Sequence, residues 1–129
     1  MSGSRVVLDA SALLALINQE PGSEKVAAVI STACMSSVNV AEVVSKLMDK
    51  GFSEVEIREI FEVLKVLIIP FDEEQSFISG LLRTNTKGLG LSLGDRACLS
   101  LAIQQKLSVL TADRVWAGLQ VGLNIQMIR

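Results

Sequence analysis

The apolar positions of this chain fall in short runs, and each run stops at a polar residue that fits a turn or a helix start. Val6-Val7-Leu8 ends on a carboxylate, Asp9, followed by the small residues Ala10-Ser11. A central strand of a parallel sheet reads this way, because both of its faces are covered. Ser11 is placed to cap a short apolar helix, Ala12 to Ile17, which Glu20-Pro21-Gly22 breaks. Ser23 opens a second helix, Glu24 to Ser31, with Val26, Val29 and Ile30 on one face. Cys34-Met35-Ser36 predicts a second strand. Asn39 is placed to cap a helix that runs to Lys50 and stops at Gly51. Val40, Val43, Val44 and Leu47 form its apolar stripe, and Glu42 points from the opposite side, out of the first turn.

Ser53 and Glu56 have the spacing of a capping box and open a helix to about Lys65. Leu67-Ile68-Ile69 predicts a third strand, with Pro70 at its end. Asp72 caps a helix from Glu73 to about Arg83, followed by a polar, glycine-bearing loop, Thr84 to Gly90. Ser92 caps Leu93 to Gln105, a helix with so little polar face that it should be buried. Ser108-Val109-Leu110-Thr111 is a fourth strand; Asp113 and a helical turn through Trp116 follow. Asn124 to Ile128 makes a fifth, edge strand. Strands alternating with helices mean an α/β fold, with a central parallel sheet of four to five strands and right-handed crossovers. No repeat, linker or low-complexity segment divides the chain, so residues 1–129 are read as a single domain.

Composition narrows the chemistry. Half of the 129 residues are hydrophobic, enough for a sizeable core and for some apolar surface left to a partner subunit. The formal net charge is -2, unlike the basic balance of domains that bind nucleic acid by broad electrostatics. A phosphate ligand must therefore be met by local charge or by metal. Histidine is absent, which excludes a Ser-His-Asp triad, a Cys-His pair and a His-liganded zinc site. Cys34 and Cys98 lie in apolar segments and read as small buried hydrophobes of a reduced, cytoplasmic protein. No apolar run reaches the ~18 residues that span a membrane, and no signal-peptide pattern precedes the first strand. The Ser2-Gly3-Ser4 start is either a cloning remnant or a short natural tail.

Four acids are candidates for function. Asp9 follows the first strand and Asp113 lies just past the fourth, so a parallel sheet brings both to its carboxyl edge, where open α/β sheets bind ligands. Asp95 sits in the first turn of a helix that should be buried, and Glu42 in the first turn of its own. Singly, each has a bland explanation: Asp95 and Asp113 as caps, Glu42 as a solvated side chain, Asp9 as a turn former. Jointly they need a cation, because two carboxylates ~5–6 Å apart repel by about 3 kcal/mol at an effective dielectric of about 20. With only oxygen ligands on offer, the ion is a hard one, Mg²⁺ or Mn²⁺. Trp116, the lone tryptophan, fits a core position better than a base-stacking one.

Four stretches carry a resemblance. Val7-Leu8-Asp9-Ala10-Ser11-Ala12-Leu13, Ser37-Val38-Asn39-Val40-Ala41-Glu42-Val43, Gly90-Leu91-Ser92-Leu93-Gly94-Asp95-Arg96 and Val109-Leu110-Thr111-Ala112-Asp113-Arg114 stand in the order and at the spacings typical of PIN-domain ribonucleases. The chain most closely resembles the VapC-like toxins of bacterial toxin–antitoxin pairs. The resemblance implies a PIN-like three-layer α/β/α fold, an acidic quartet of Asp9, Glu42, Asp95 and Asp113, and Thr111 as a small hydroxyl beside it. It also implies an RNA substrate, a homodimer, and a small VapB-like antitoxin whose C-terminal segment plugs the acidic cleft.

The expected chemistry is hydrolysis of RNA phosphodiesters, with Mg²⁺ or Mn²⁺ held chiefly by Asp9 and Asp95 and by Glu42 and Asp113 directly or through water. Arg96 and Arg114, each following an acid, are placed either to touch RNA phosphate or to pair with neighbouring carboxylates; Lys46, Arg83 and Lys87 are further candidates for backbone contact. Two alternatives remain at this level. A PIN-like module that only binds a partner would keep the fold without the reaction. A metal-dependent phosphatase of the haloacid-dehalogenase type also begins with an aspartate after strand one, but it wants a second aspartate where Ser11 stands.

Overall fold

A computed structural model describes residues 5–129; the Ser/Gly start lies outside them. The elements are β1 (Val6–Leu8), α1 (Ala10–Ile17), α2 (Ser23–Val29), β2 (Ala33–Ser36), α3 (Ser37–Asp49), α4 (Glu54–Leu64), β3 (Leu67–Ile69), α5 (Glu73–Thr86), α6 (Leu93–Gln105), β4 (Ser108–Thr111) and β5 (Ile125–Met127). Short 3-10 turns occupy Ile30–Thr32, Lys87–Leu89 and Arg114–Gly118. The five strands form one parallel sheet in the order β3-β2-β1-β4-β5. The chain winds outward from β1 in one direction and then, from β4, in the other. The order therefore reverses between β1 and β4, and in such sheets the carboxyl ends of those two strands enclose the crevice that takes ligands.

Helices cover both faces, giving three layers. Successive strand residues alternate between them, as the pleat requires. Leu8, Met35 and Leu110 pack with Leu13, Val26, Val43 and Leu47 on the α1–α4 side. Val7, Cys34 and Val109 pack with Leu82, Leu99, Leu101 and Trp116 on the α5–α6 side. Because both faces are covered, β1 reads as an unbroken apolar run. Helix α6 is buried along most of its length, from Ala97 to Ala102.

Local chemistry moves several helix ends from where the sequence placed them. Helix α1 begins at Ala10, with Asp9 rather than Ser11 as its cap: the Asp9 carboxylate accepts from the Ala12 N–H at 2.8 Å. Helix α3 begins at Ser37 with Ser36 as cap, not Asn39; Asn39 lies inside the helix, and Glu42 is a turn further in than expected. Helix α2 ends at Val29 and gives way to a 3-10 turn. The expected loop at Thr84–Gly90 is ordered, with α5 running on to Thr86 and a 3-10 turn after it. The caps of the remaining helices stand where the sequence put them: Ser53 with Glu56, Asp72, and Ser92.

Trp116 is the largest fully buried side chain and lies in the α5–α6 layer, as a core residue. Its replacement by alanine should cost ~3–5 kcal/mol, the usual cost of emptying an aromatic site. Trp116→Phe should cost markedly less. Urea unfolding curves of the two variants check this, and equal losses would show that the indole is not packed as described.

Candidate active site

The site is built on the ends of β1 and β4. The Asp9 N–H donates to the Leu110 carbonyl at 3.3 Å, which fixes the first residue past β1 against β4. Its carboxylate is nearly out of solvent, 4% exposed, and is held by neighbours on three sides. Thr111 Oγ1 donates to Oδ2 at 2.5 Å, Ser11 Oγ lies 2.8 and 2.9 Å from the two oxygens, and the Ala12 N–H donates to Oδ1. Ser11 in turn accepts from the Ala112 N–H at 2.9 Å, and Thr111 Oγ1 accepts from the Asp113 N–H at 3.0 Å. One continuous network thus joins the β1 end to the β4 end.

No cationic side chain reaches Asp9. Among the described residues the ion pairs are Arg58–Glu54 and Arg129–Glu20, both elsewhere. Burial therefore dominates and raises the Asp9 carboxyl to about 6, against the hydrogen bonds from Thr111, Ala12 and Ser11 that favour its charged form. The charge of Asp95 pushes in the same upward direction as burial. A buried carboxylate whose only charged influence is a second acid is an unsatisfied demand for positive charge.

The other acids border the same region, each restrained by its own backbone. Asp95 is the third residue of α6, and its carboxylate accepts from the Ser92 N–H at 2.9 Å in a capping box. Asp113 caps the following 3-10 turn, accepting from the Val115 N–H at 3.0 Å. Glu42 is held by Asn39, whose side-chain amide donates to Oε1 at 2.8 Å and to the Gly94 carbonyl at 2.9 Å. A Cβ on Gly94 would come within 2.6 Å of the Glu42 carboxyl carbon, so the Glu42 carboxylate occupies the space that a side chain at position 94 would take. The buried Cys98 thiol registers the crowding: burial pushes it well up, and Asp9, Asp95 and Glu42 push it further.

The structure thus brings Asp9, Asp95 and Glu42 around one buried thiol and ties Asp113 to Asp9 through Thr111. It does not pre-assemble them into a chelate. Among the described residues no three acid, cysteine or histidine side chains are close enough, as placed, to grip one ion. Donor chemistry and charge still fit Mg²⁺, which keeps several waters and takes one or two carboxylates directly. Arg96 and Arg114 form neither of the ion pairs weighed for them: Arg96 donates to the Ser79 carbonyl at 3.0 Å, and Arg114 to the backbone oxygen of Arg129 at 2.8 Å.

Sequence reasoning missed three supporting residues. Ser11 braces Asp9 instead of capping a helix. Asn39 orients Glu42 from three residues away on the same helix face, a spacing that brings side chains together. Gly94 leaves room for the Glu42 carboxylate against α6, and a glycine in the first turn of a buried helix is a signal for such a close approach.

Comparison with known proteins agrees with this architecture. No curated protein matches the chain significantly. Among solved structures, a DNA-bound VapBC from Salmonella typhimurium superposes with a TM-score of 0.75 at 18% identity, covering 98% of this chain and 99% of that one. VapBC2 from Rickettsia felis, bound to a fragment of its promoter DNA, gives 0.76 at 22% identity, covering 95% and 97%. A toxin–antitoxin complex from Klebsiella pneumoniae gives 0.75 at 18% identity, covering 96% and 98%. At these identities the likeness is one of fold. The family model of the PIN domain matches residues 6–120, nearly the whole chain, and the chain therefore belongs to the PIN domain family.

Proposed function

We propose that the chain is a metal-dependent endoribonuclease and the toxin of a toxin–antitoxin pair. The observation that carries this reading is Asp9: a carboxylate buried at the switch point of the sheet, oriented by three donors and beside a second acid, with no cation to balance it. Asp9 and Asp95 would hold Mg²⁺ or Mn²⁺, with Glu42 and Asp113 within reach through water. A divalent ion held there acidifies a water and offsets the charge that grows on a phosphate under attack. Ser11 and Thr111 keep the Asp9 oxygens aimed while the substrate enters and leaves. Asn39 orients Glu42 and ties α3 to α6 through the Gly94 carbonyl. Hydrolysis with water as the nucleophile leaves a 5′-phosphate and a 3′-hydroxyl.

Partner surfaces support the second half of the reading. An apolar cavity of about 740 Å³ lies between α3 and α4, lined by Val40, Val44, Met48, Phe61 and Ile68. A second, of about 560 Å³, lies on the other flank of α4 between Leu16, Phe52 and Ile60. Helix α4 keeps only Ile57 buried, so it stands proud between two apolar channels, as a seat for the apolar segment of a VapB-like antitoxin. Phe77 and Leu81, exposed on α5, offer a separate patch for a homodimer. The structural relatives are complexes of VapBC type. Among the described residues no helix is long and apolar enough to cross a membrane.

Cleavage of a mixed RNA pool in Mg²⁺ or Mn²⁺, with an EDTA control and a small phosphomonoester in parallel, tests the reaction. RNA cleavage that EDTA abolishes is expected. Phosphate release without RNA cleavage would favour the phosphatase, and partner binding without any cleavage would favour the binding module. Asp9→Asn should lower the cleavage rate by ~10³-fold or more with the fold intact. Retained activity in that variant would reject Asp9 as a ligand, and 2′,3′-cyclic phosphate ends would reject water as the nucleophile.

The raised Asp9 value predicts a pH dependence of stability. Its folded value of about 6 lies above the ordinary 3.8, so the folded state binds the proton more tightly than the unfolded chain. The contribution is fully present below pH 3.8 and is lost as pH rises through about 6. Across that window the metal-free protein should lose about 3 kcal/mol relative to Asp9→Asn. Denaturant titrations in EDTA from about pH 3 to about pH 7.5 measure the difference. Mg²⁺ at pH 7.5 should restore stability to the parent chain and not to the variant; parallel curves throughout would remove the burial cost assigned to Asp9.

A further inference from the structure

The two residues that follow β5 fold back across the molecule as a strap and are held at three places. Ile128 is buried in the layer on the α1–α4 side. Its N–H donates to the Thr111 carbonyl at 3.0 Å, just past the last β4–β5 pair, Thr111 with Met127. Gly22 makes room for it: a Cβ there would lie 2.9 Å from both the Ile128 carbonyl carbon and its Cγ1. Arg129 Nη1 donates to the Pro21 carbonyl at 3.0 Å and pairs with Glu20 at 3.2 Å. The backbone oxygen of Arg129 in turn accepts from Arg114 Nη1 at 2.8 Å. The Glu20 pair is more than a third exposed on both sides and holds little by itself. Burial of Ile128 fixes the strap, and the bonds of the two arginines set its direction.

These contacts close a ring through two of the acids. Asp9 caps the start of α1, and the turn after α1 holds Arg129. Arg129 is held by Arg114, which follows Asp113. The Asp113 N–H donates to Thr111 Oγ1, which donates to Asp9. Asp113 therefore lies between two attachments to the strap: Thr111 with Ile128 two residues before it, and Arg114 with Arg129 one residue after it. The bonds of Asp113 itself are all local: its N–H to Thr111, its Oδ1 from the Val115 N–H, and its carbonyl from the Trp116 N–H. Local bonds keep the shape of a turn, and long-range ones fix where it sits on the sheet. Trp116 anchors the far end of this turn in the α5–α6 layer; the strap secures the near end.

Resting on the nuclease reading above, we propose that Arg114, Ile128 and Arg129 are positioning residues for Asp113: the strap fixes where Asp113 stands relative to Asp9, and Arg114 serves the strap rather than the RNA. An acid on a short turn helps a reaction only if it is in place when the substrate arrives, and a misplacement of about 1 Å costs up to ~10²-fold in rate. Closing a ring supplies that placement without a countercharge. Arg114 donates to a backbone oxygen and forms no ion pair among the described residues, so it holds the turn and leaves the Asp113 charge uncancelled. A charged donor also makes a stronger bond to a carbonyl than a neutral one does.

Amide hydrogen exchange of the metal-free chain reads the strap directly. Arg114→Ala and Arg129→Ala should each speed exchange at the Asp113, Val115 and Ile128 N–H groups roughly ten-fold, with amides inside α6 such as Leu101 unchanged. Arg114→Lys keeps a donor for the same oxygen and should restore protection. Steady-state cleavage of a single-stranded RNA oligonucleotide across a salt series reads the consequence. Arg114→Ala should lower kcat about ten-fold at nearly unchanged KM, and leave the slope of log(kcat/KM) against log[salt] as in the parent. Added to Asp113→Asn it should cost little more, because the acid it positions is already gone. A raised KM with a slope flattened by about 0.7, the loss of one phosphate contact on a single strand, would assign Arg114 to RNA and overturn the proposal with the nuclease reading intact. Unchanged exchange in both alanine variants, or equal losses with and without the Asp113 carboxylate, would overturn it too. A parent chain that cleaves no RNA would sink the nuclease reading; faster exchange in both variants would then still support the strap as the tether of Asp113, and unchanged exchange would remove it as well.

Discussion

A single carboxylate that is kept out of water and given no positive partner sets the terms for everything around it. Asp9 stands where β1 ends, and its surroundings favour its charge only weakly: hydroxyls from Ser11 and Thr111 and one backbone N–H. Those donors orient the oxygens but do not outweigh burial, so the proton affinity of the group stays high. A purely structural acid at this depth would be expected to have an arginine or lysine beside it. Here the nearest charged neighbour that matters is Asp95, another acid. The arrangement costs free energy as long as no cation balances it, and that cost is what the proposed metal reading rests on.

The fold makes that arrangement possible by means of strand order. β1 and β4 are neighbours in the sheet but lie 100 residues apart in the chain, with helical units wound outward on both sides. Their carboxyl ends open into the only part of such a sheet where the helices diverge. The hydroxyl of Thr111 therefore meets the carboxylate of Asp9 by topology, not by sequence proximity. Glu42 arrives by a third route, on α3, and its carboxylate fills the space left by the missing side chain of Gly94 on α6. Three separate parts of the chain have to be correct before the negative oxygens share a region.

Much of this was legible in the sequence, because it rests on patterns of apolar residues. The five strands, the six helices and the parallel winding follow from runs such as Val6-Val7-Leu8 and from the caps at Ser53, Asp72 and Ser92. Helix starts near the site were not legible, for a definite reason. Ser11 and Asn39 are good capping residues by type, yet their side chains serve Asp9 and Glu42, and the helices are capped one or more residues earlier by Asp9 and Ser36. Capping preference is a local rule, and long-range demands at a functional centre override it. Which residues would face Arg96 was equally hidden, since Ser79 lies 17 positions away and on another helix. A net charge of -2 left local charge as the way to meet a phosphate, but it could not show that Arg83, Lys87 and Arg96 line one cavity and Lys46, Lys50 and Arg129 another.

Capping and metal binding are usually set against each other as explanations of an acid near a helix start. In this protein they are compatible, and the reason is economical in atoms. A cap occupies one carboxylate oxygen: Asp95 gives Oδ2 to the Ser92 N–H, and Asp113 gives Oδ1 to the Val115 N–H. The second oxygen of each remains available to water or to an ion. The backbone bond fixes the side-chain rotamer, so less conformational entropy is lost when a ligand arrives. As placed, the described side chains do not form a closed chelate. An ion that keeps part of its water shell tolerates such spacing, whereas one that must be stripped and caged would not. The local hydrogen bonds that make Asp95 and Asp113 look like ordinary caps thus leave each with one oxygen free for the proposed ion.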